Sequence, residues 1–176
     1  MDTGLFLLRI VVGVLLAGHG AQKLFGWFGG HGLEGTGGFF DSLGYKPGKR
    51  WAFVAGLSEF GGGLLFALGL FTPLAAAAII GTMFNAVMSV HVKNGPWASN
   101  GGWEYNLVIA TSAAAVAFVG PGAASLDNAF GWDLAGRGWG IAALALGLGT
   151  GILTDIYRRV AKRAPQLSSR DVQATA

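Results

Sequence analysis

"LLRIVVGVLLAGHGAQKLFG", residues 7–26, decides how the rest of the chain is read. From Ile10 to Gly18 it carries no charge, yet Arg9 stands before this run and His19, Gln22 and Lys23 end it. The run is long enough to form most of a membrane-spanning helix, which needs about 20 mainly apolar residues. Ionisable side chains inside such a helix are costly and face the bundle interior or a wet cavity. At about 100° per residue, Arg9, Leu16, His19, Gly20 and Lys23 share one stripe. These polar residues are therefore expected to face protein rather than lipid.

The composition points the same way. Of 176 residues, enough for one domain, 52% are hydrophobic and 12% charged, and the mean hydropathy is +0.52. Soluble domains carry roughly 25% charged residues, and a soluble fold of this length has too little interior for so much apolar surface. The 31 glycines suit close helix packing in a membrane. There is no cysteine, which excludes disulfides, thiol redox catalysis, iron–sulfur ligation and cysteine zinc sites. The net charge of +3 is concentrated at the C-terminal end, where Arg158, Arg159, Lys162, Arg163 and Arg170 lie. That pattern reads as a membrane-topology anchor near anionic headgroups, not as a nucleic-acid-binding face. The first apolar segment lacks a basic leader and runs past signal length, so no cleavable signal peptide is expected.

Five candidate spans follow: Leu5 to Phe25, Trp51 to Leu70, Leu74 to Val92, Tyr105 to Val119 and Trp139 to Tyr157. Only "FTP" (71–73) separates the second from the third, which predicts an antiparallel hairpin with Pro73 in a first helical turn. Lys46, Lys49 and Arg50 in the first loop, Lys93 in the third, and the basic tail all fall on one side. The excess of Lys and Arg puts that side, and the C-terminus, in the cytoplasm. In the first loop, "TGGFFDSLG" (36–44) groups Phe39, Phe40 and Leu43, as an interfacial helix would; a flexible loop is the alternative. The segment "RAPQLSSRDVQATA" (163–176) is polar and is expected to be disordered.

The polar residues of the first four spans are candidates for one shared site. Glu59 shares a face with Ala52, Gly56, Gly63 and Phe66, and the small residues let another backbone approach this carboxylate. His91 lies near Phe84 and Met88 on the third span, with Asn85 farther around. Glu104 opens a stripe through Val108, Thr111 and Ala115. His19, Lys23, Glu59, His91, Glu104 and Arg9 thus form the expected polar cluster. Four readings of it stay open. One is a structural ion-pair network. A second is a site for a quinone or similar redox-active molecule, with Phe66 and Phe84 as aromatic walls. A third is a path for a small solute or proton. The fourth is metal or haem on His19 and His91, which their difference in depth and the lack of an HxxxH or CxxCH pattern weaken; no metal site is expected. His31 reads as solvated. Met83 and Met88 read as packing residues, and Trp27, Trp97, Trp103 and Trp139 as interfacial anchors.

"LLRIVVGVLLAGHGAQKLFG" (7–26), "EFGGGLLFALGLFTPLAA" (59–76), "EYNLVIA" (104–110) and "GPGAASLD" (120–127) together resemble the DoxX family of bacterial membrane proteins. The resemblance covers residues 4 to 130. It implies an all-α, multi-pass fold in the bacterial inner (plasma) membrane. A four-helix bundle would fill residues 1–130, an accessory fifth transmembrane helix residues 131–157, and a basic cytoplasmic tail residues 158–176. The fifth helix, with small residues at Gly140, Ala143, Gly147 and Gly151, is expected to pack outside the bundle or on a partner and to supply nothing to the polar cluster. The resemblance also implies a link to respiratory or oxidative-stress redox chemistry. Relatives include a subunit of a thiosulfate:quinone oxidoreductase, and a partner of superoxide dismutase and a sulfurtransferase in a membrane oxidoreductase complex. The family's recurring polar positions correspond here to Arg9, His19, Lys23, Glu59 and Glu104. The expected partners are the lipid bilayer and other proteins of a membrane complex, or a second copy of the chain, and not nucleic acid. A non-catalytic structural subunit and a small-solute transporter remain the alternatives.

Overall fold

The computed structural model describes residues 2–174, with side chains described as far as residue 163. It is all-α. The helices are α1 (Asp2–Phe25), α2 (Gly32–Leu43), α3 (Gly48–Leu68), α4 (Thr72–Ala86), α5 (Glu104–Val119), the single turn α6 (Leu126–Ala129) and α7 (Arg137–Ala174). Four segments are long and apolar enough to cross a membrane: Asp2–Phe25, Gly48–Leu68, Thr72–Asn94 and Arg137–Arg163. The chain is therefore a multi-pass membrane protein. The expected fourth span, α5, has only 16 residues, about 24 Å of helix, and falls short of that length. It still runs from one end of the bundle to the other. Glu104 at its start accepts a hydrogen bond from Ala98 N, beside the end of the α4 segment. Phe118 at its close accepts one from Gly136 N, just before α7.

The α3–α4 hairpin forms as its sequence requires. Gly69 takes a left-handed conformation (φ 61°) and closes α3, and Pro73 sits in the first turn of α4. Gly69 is needed for a second reason: a Cβ there would occupy the place of the Arg9 guanidinium.

Glycine also sets the helix contacts. A Cβ on Gly13 of α1 would lie 2.5 Å from the Gly63 carbonyl oxygen of α3, and Gly20 lies equally close to Phe60. The two helices thus pack backbone to backbone, as small residues allow in a bilayer. α4 is the central helix, packed on α3, α5 and α7. Its Ala75, Ala76, Ile79, Ile80 and Met83 form the core with Leu16, Phe66, Ala113, Val116, Ala117 and Ala143. Large apolar residues such as Leu15, Phe53, Leu57, Leu107 and Leu153 point outward, where lipid replaces water and their exposure is no penalty.

Two expectations are corrected here. α7 is no peripheral accessory. A Cβ on Gly147 would press on the Ala77 carbonyl and Ile80, one on Gly151 on Phe84, and one on Gly140 on Phe118. The small-residue ridge is used within this chain, against α4 and α5. Nor does the basic tail of residues 158–176 lose regular structure at residue 163. The helix continues to Ala174, anchored where Asp155 binds both Arg158 and Arg159. Residues 175 and 176, and the side chain of Arg170, lie outside the described residues. In the first loop the helical alternative holds. α2 ends at Gly44 (φ 102°), and Gly37 lets it close on the backbone of Lys49.

Candidate functional site

Lys23 and Glu59 meet at the contact between α1 and α3. Lys23 Nζ lies 2.5 Å from Glu59 Oε2, with the carboxylate side chain 7% exposed and the lysine 25%. The meeting follows from packing: Gly56, one turn before Glu59, leaves room for Leu24 and the Lys23 stem. The ammonium has three protons and gives one to Glu59, so two remain for another acceptor.

Both residues line a cavity of about 380 Å³, within the range of small-molecule sites. Its floor is α4, through Ala77, Ala78, Gly81, Thr82, Asn85 and Ala86. One side is α3, through Trp51, Val54, Ala55 and Ser58, and the other is α7, through Thr150, Gly151 and Thr154. Phe39, Phe40 and Leu43 of α2 and the following Tyr45 complete the lining. α3 and α7 flank α4 and meet near one end, where the Trp51 and Tyr157 rings lie 5.1 Å apart. The hydroxyls of Thr82, Thr150 and Thr154 and that of Ser89, another lining residue, donate to carbonyls of their own helix turns. A hydroxyl that donates in this way, a common habit of such residues in helices, keeps acceptor capacity on its oxygen. The aromatic walls differ from those expected. Phe66 is fully buried in the core and Phe84 faces Gly151. The aromatic rings come instead from Phe39, Phe40, Tyr45 and Trp51.

Tyr45 and a buried ionic group close the cavity's end. Tyr45 is 3% exposed, donates to Asn85 Oδ1 at 3.1 Å, and lies under the Arg158 guanidinium, 5.7 Å from the ring centroid. Burial raises the Tyr45 phenol above its ordinary pKa, partly offset by Ser89 and by the Arg158 charge. Arg158 donates to Asp155 Oδ1 at 2.6 Å and to the Leu43 and Met88 carbonyls. It thereby ties α7 to α2 and to the end of the α4 segment. The sequence places Arg158 in a membrane-topology anchor near anionic headgroups, not in a buried ionic group. Asp155, three residues before it on a helix, was the available signal for a pair.

The other candidates make no hydrogen bond or ion pair with Lys23 or Glu59. His19 is exposed and bonds Gln22 at 3.1 Å; Gln22 in turn donates to the Phe28 carbonyl. These residues fasten the turn after α1. His91 contacts the Gly101 carbonyl at 2.7 Å, and Glu104 accepts from Ala98 N at 2.6 Å. Both hold the 92–103 loop. Among the described residues no three of His, Asp and Glu gather as metal ligands.

Arg9 belongs to the opposite end of the bundle. It is fully buried and donates to the Ala124 carbonyl, while its Nε and Nη1 have no protein partner. Near it Asp127, also fully buried, accepts from Phe71 N at 2.7 Å, Thr72 N at 3.0 Å and the Thr72 hydroxyl at 2.6 Å. Asp127 therefore caps the start of α4 from a distant loop. From sequence it has no role beyond its place in the "GPGAASLD" motif.

Comparison with known proteins fits this frame. The DoxX family model matches residues 4–92, which take in α1 to the end of the α4 segment, with Arg9, Lys23 and Glu59. It stops short of the 4–130 read from motifs and leaves out Glu104, Asp127 and α7. A Bacillus subtilis (strain 168) protein described as "Putative oxidoreductase CatD" is 31% identical over 108 residues, covering 61% of this chain and 74% of the relative. No solved structure matches the chain.

Proposed function

The chain belongs to the DoxX family, and from that premise we propose that it is a membrane-embedded, redox-associated subunit that holds a quinone in the cavity beside Lys23 and Glu59. The observation that carries this reading is the ion pair in the cavity wall, next to aromatic rings and within a largely apolar space. The residues fit such a guest. Lys23 would donate to one carbonyl oxygen, the rings of Phe39, Phe40, Tyr45 and Trp51 would pack on a flat body, and the threonine oxygens would accept from a hydroxyl. When bound, a quinone supplies two-electron, two-proton chemistry at its carbonyl oxygens. Lys23 and Glu59 hold a proton between them at the place where such chemistry needs one, which is how buried acid–base pairs serve proton transfer. The description of the B. subtilis relative as an oxidoreductase supports the redox side of this reading. We place the end bearing Lys46, Lys49 and Arg50 in the cytoplasm of a bacterial plasma membrane, from the excess of basic residues there.

Titration of the purified protein with a short-chain quinone, followed by quenching of tryptophan fluorescence, tests the reading. Trp51 lines the cavity, so binding should quench saturably, less in Trp51→Phe, and with lower affinity in Lys23→Met. An unsaturable signal, or equal affinity in wild type and Lys23→Met, overturns it. In that case the pair serves stability alone.

A further inference from the structure

We propose a second site: the groove between the start of α3 and α7 binds the phosphate of an anionic phospholipid through Arg50. The groove has a volume of about 240 Å³ and is lined by Pro47, Arg50, Trp51, Val54 and Tyr157. It stands apart from the quinone reading and does not depend on it.

Arg50 is exposed, and its guanidinium pairs with no carboxylate among the described residues. Its neighbours differ. Lys49 pairs with Glu34, and Arg158 and Arg159 with Asp155. A planar, permanently charged guanidinium with free donors suits a phosphate, which it can grip with two N–H groups. The wall behind it is fixed. The Tyr157 hydroxyl donates to the Lys46 carbonyl at 2.5 Å, and its ring leans on Trp51. Tyrosine and tryptophan in this arrangement mark the headgroup level of a bilayer.

The occupant is a lipid and not a free anion because the groove is apolar below its mouth. Val54 lies one turn along α3 from Arg50 and is 49% exposed, and Leu57 beyond it is 51% exposed. An acyl chain covers these side chains; a free phosphate does not. The lipid is anionic because Lys46, which like Arg50 pairs with no carboxylate among the described residues, lies at the same end of α3, so the local field favours a headgroup with net negative charge and disfavours a choline. Trp51 and Val54 line both the groove and the cavity. A lipid in the groove therefore stands against the α3 side of the cavity.

The test is electron spin resonance of spin-labelled phosphatidylglycerol and phosphatidylcholine with the full chain in phosphatidylcholine bilayers. Wild type should select phosphatidylglycerol about five-fold, the preference one basic residue near a membrane surface supports. Arg50→Gln should lose most of that selectivity. Lys93→Gln, which removes a cation outside the groove, should keep it, and millimolar inorganic phosphate should not displace the lipid. No selectivity in wild type overturns the proposal. So does an equal loss in the two variants, which would mean diffuse charge, and so does displacement by phosphate, which would mean an anion site without a lipid.

Discussion

Lys23 on α1 and Glu59 on α3 are joined at 2.5 Å across a helix contact in which glycines replace side chains. Close backbone approach and the polar pair depend on each other. The glycines bring the helices near enough for the pair, and the pair neutralises a carboxylate that would otherwise be buried alone. Removing one partner of such a pair costs about 3–5 kcal/mol in soluble proteins. Glu59→Ala should therefore lower the thermal midpoint of the purified protein strongly, and Glu59→Gln, which keeps an acceptor for Lys23, should lower it less. Equal midpoints for both variants and wild type would show that the pair is not formed.

Asp127 makes three hydrogen bonds at the first turn of α4 and lies near the buried Arg9. Asp127→Ala removes the cap and leaves a buried cation without its counter-charge. The loss should be at least that of an ordinary cap, about 0.5–2 kcal/mol. Asp127→Asn should fall between. Thermal melts of the three proteins check the order; a mild Asp127→Ala variant would mean that the Asp127 cap of α4 is not closed in the membrane.

The α1–α3 contact separates tolerated from forbidden glycine changes. Gly63→Val places methyl groups against the Gly13 carbonyl and Ala17, whereas Gly18 and Gly4 have nothing within 4 Å of an added Cβ. Gly63→Val should lower yield and stability by more than the 1–3 kcal/mol of ordinary overpacking, because backbone cannot move aside easily. Gly18→Ala and Gly4→Ala should leave both unchanged or slightly raised, since alanine is the better helix former. Comparable damage from all three would place the α1–α3 contact elsewhere.

Orientation is open to labelling, because the chain has no background thiol. Ser42 and Asp133 are exposed near opposite ends of the bundle. A membrane-impermeant thiol reagent added outside intact cells should modify Asp133→Cys and spare Ser42→Cys. The reverse pattern would turn the protein over, and modification of both would break the multi-pass topology.

Much of this architecture was legible in the sequence. Hydropathy located the crossing helices, the short "FTP" link with Pro73 marked the hairpin, and the stripe from Arg9 to Lys23 turned Lys23 toward the bundle interior. The errors have physical causes. At about 100° per residue, Gly13, Leu16 and Gly20 stay within about 40° of Arg9, whereas His19 is turned about 80° to one side, away from the buried Ala17 and Ala21. A stripe drawn too wide therefore put His19 inside. His91 escaped because the helix widens over Val87–His91, and a wider turn moves every later side chain off a regular stripe. Asp127 escaped because its partners are set by tertiary contact, and Asp155 because Arg158 and Arg159, three and four residues on, were read as part of a basic anchor. Asp127 caps a helix more than fifty residues earlier in the chain, and Asp155 holds an arginine that reaches across to Leu43. The α7 ridge was read correctly as a close-packing surface, but a sequence alone could not show that α4 offers the matching Gly81 and Ala77.

The central claim is that a quinone sits in the cavity beside Lys23 and Glu59. A density map of the protein reconstituted with a short-chain quinone tests it most directly, with Lys23→Met prepared in parallel. The account predicts flat density among Tyr45, Trp51 and Lys23 in the wild type, lost or displaced in Lys23→Met. Lipid acyl chains alone in that space, or the same flat density in both proteins at a site away from Lys23, would contradict it.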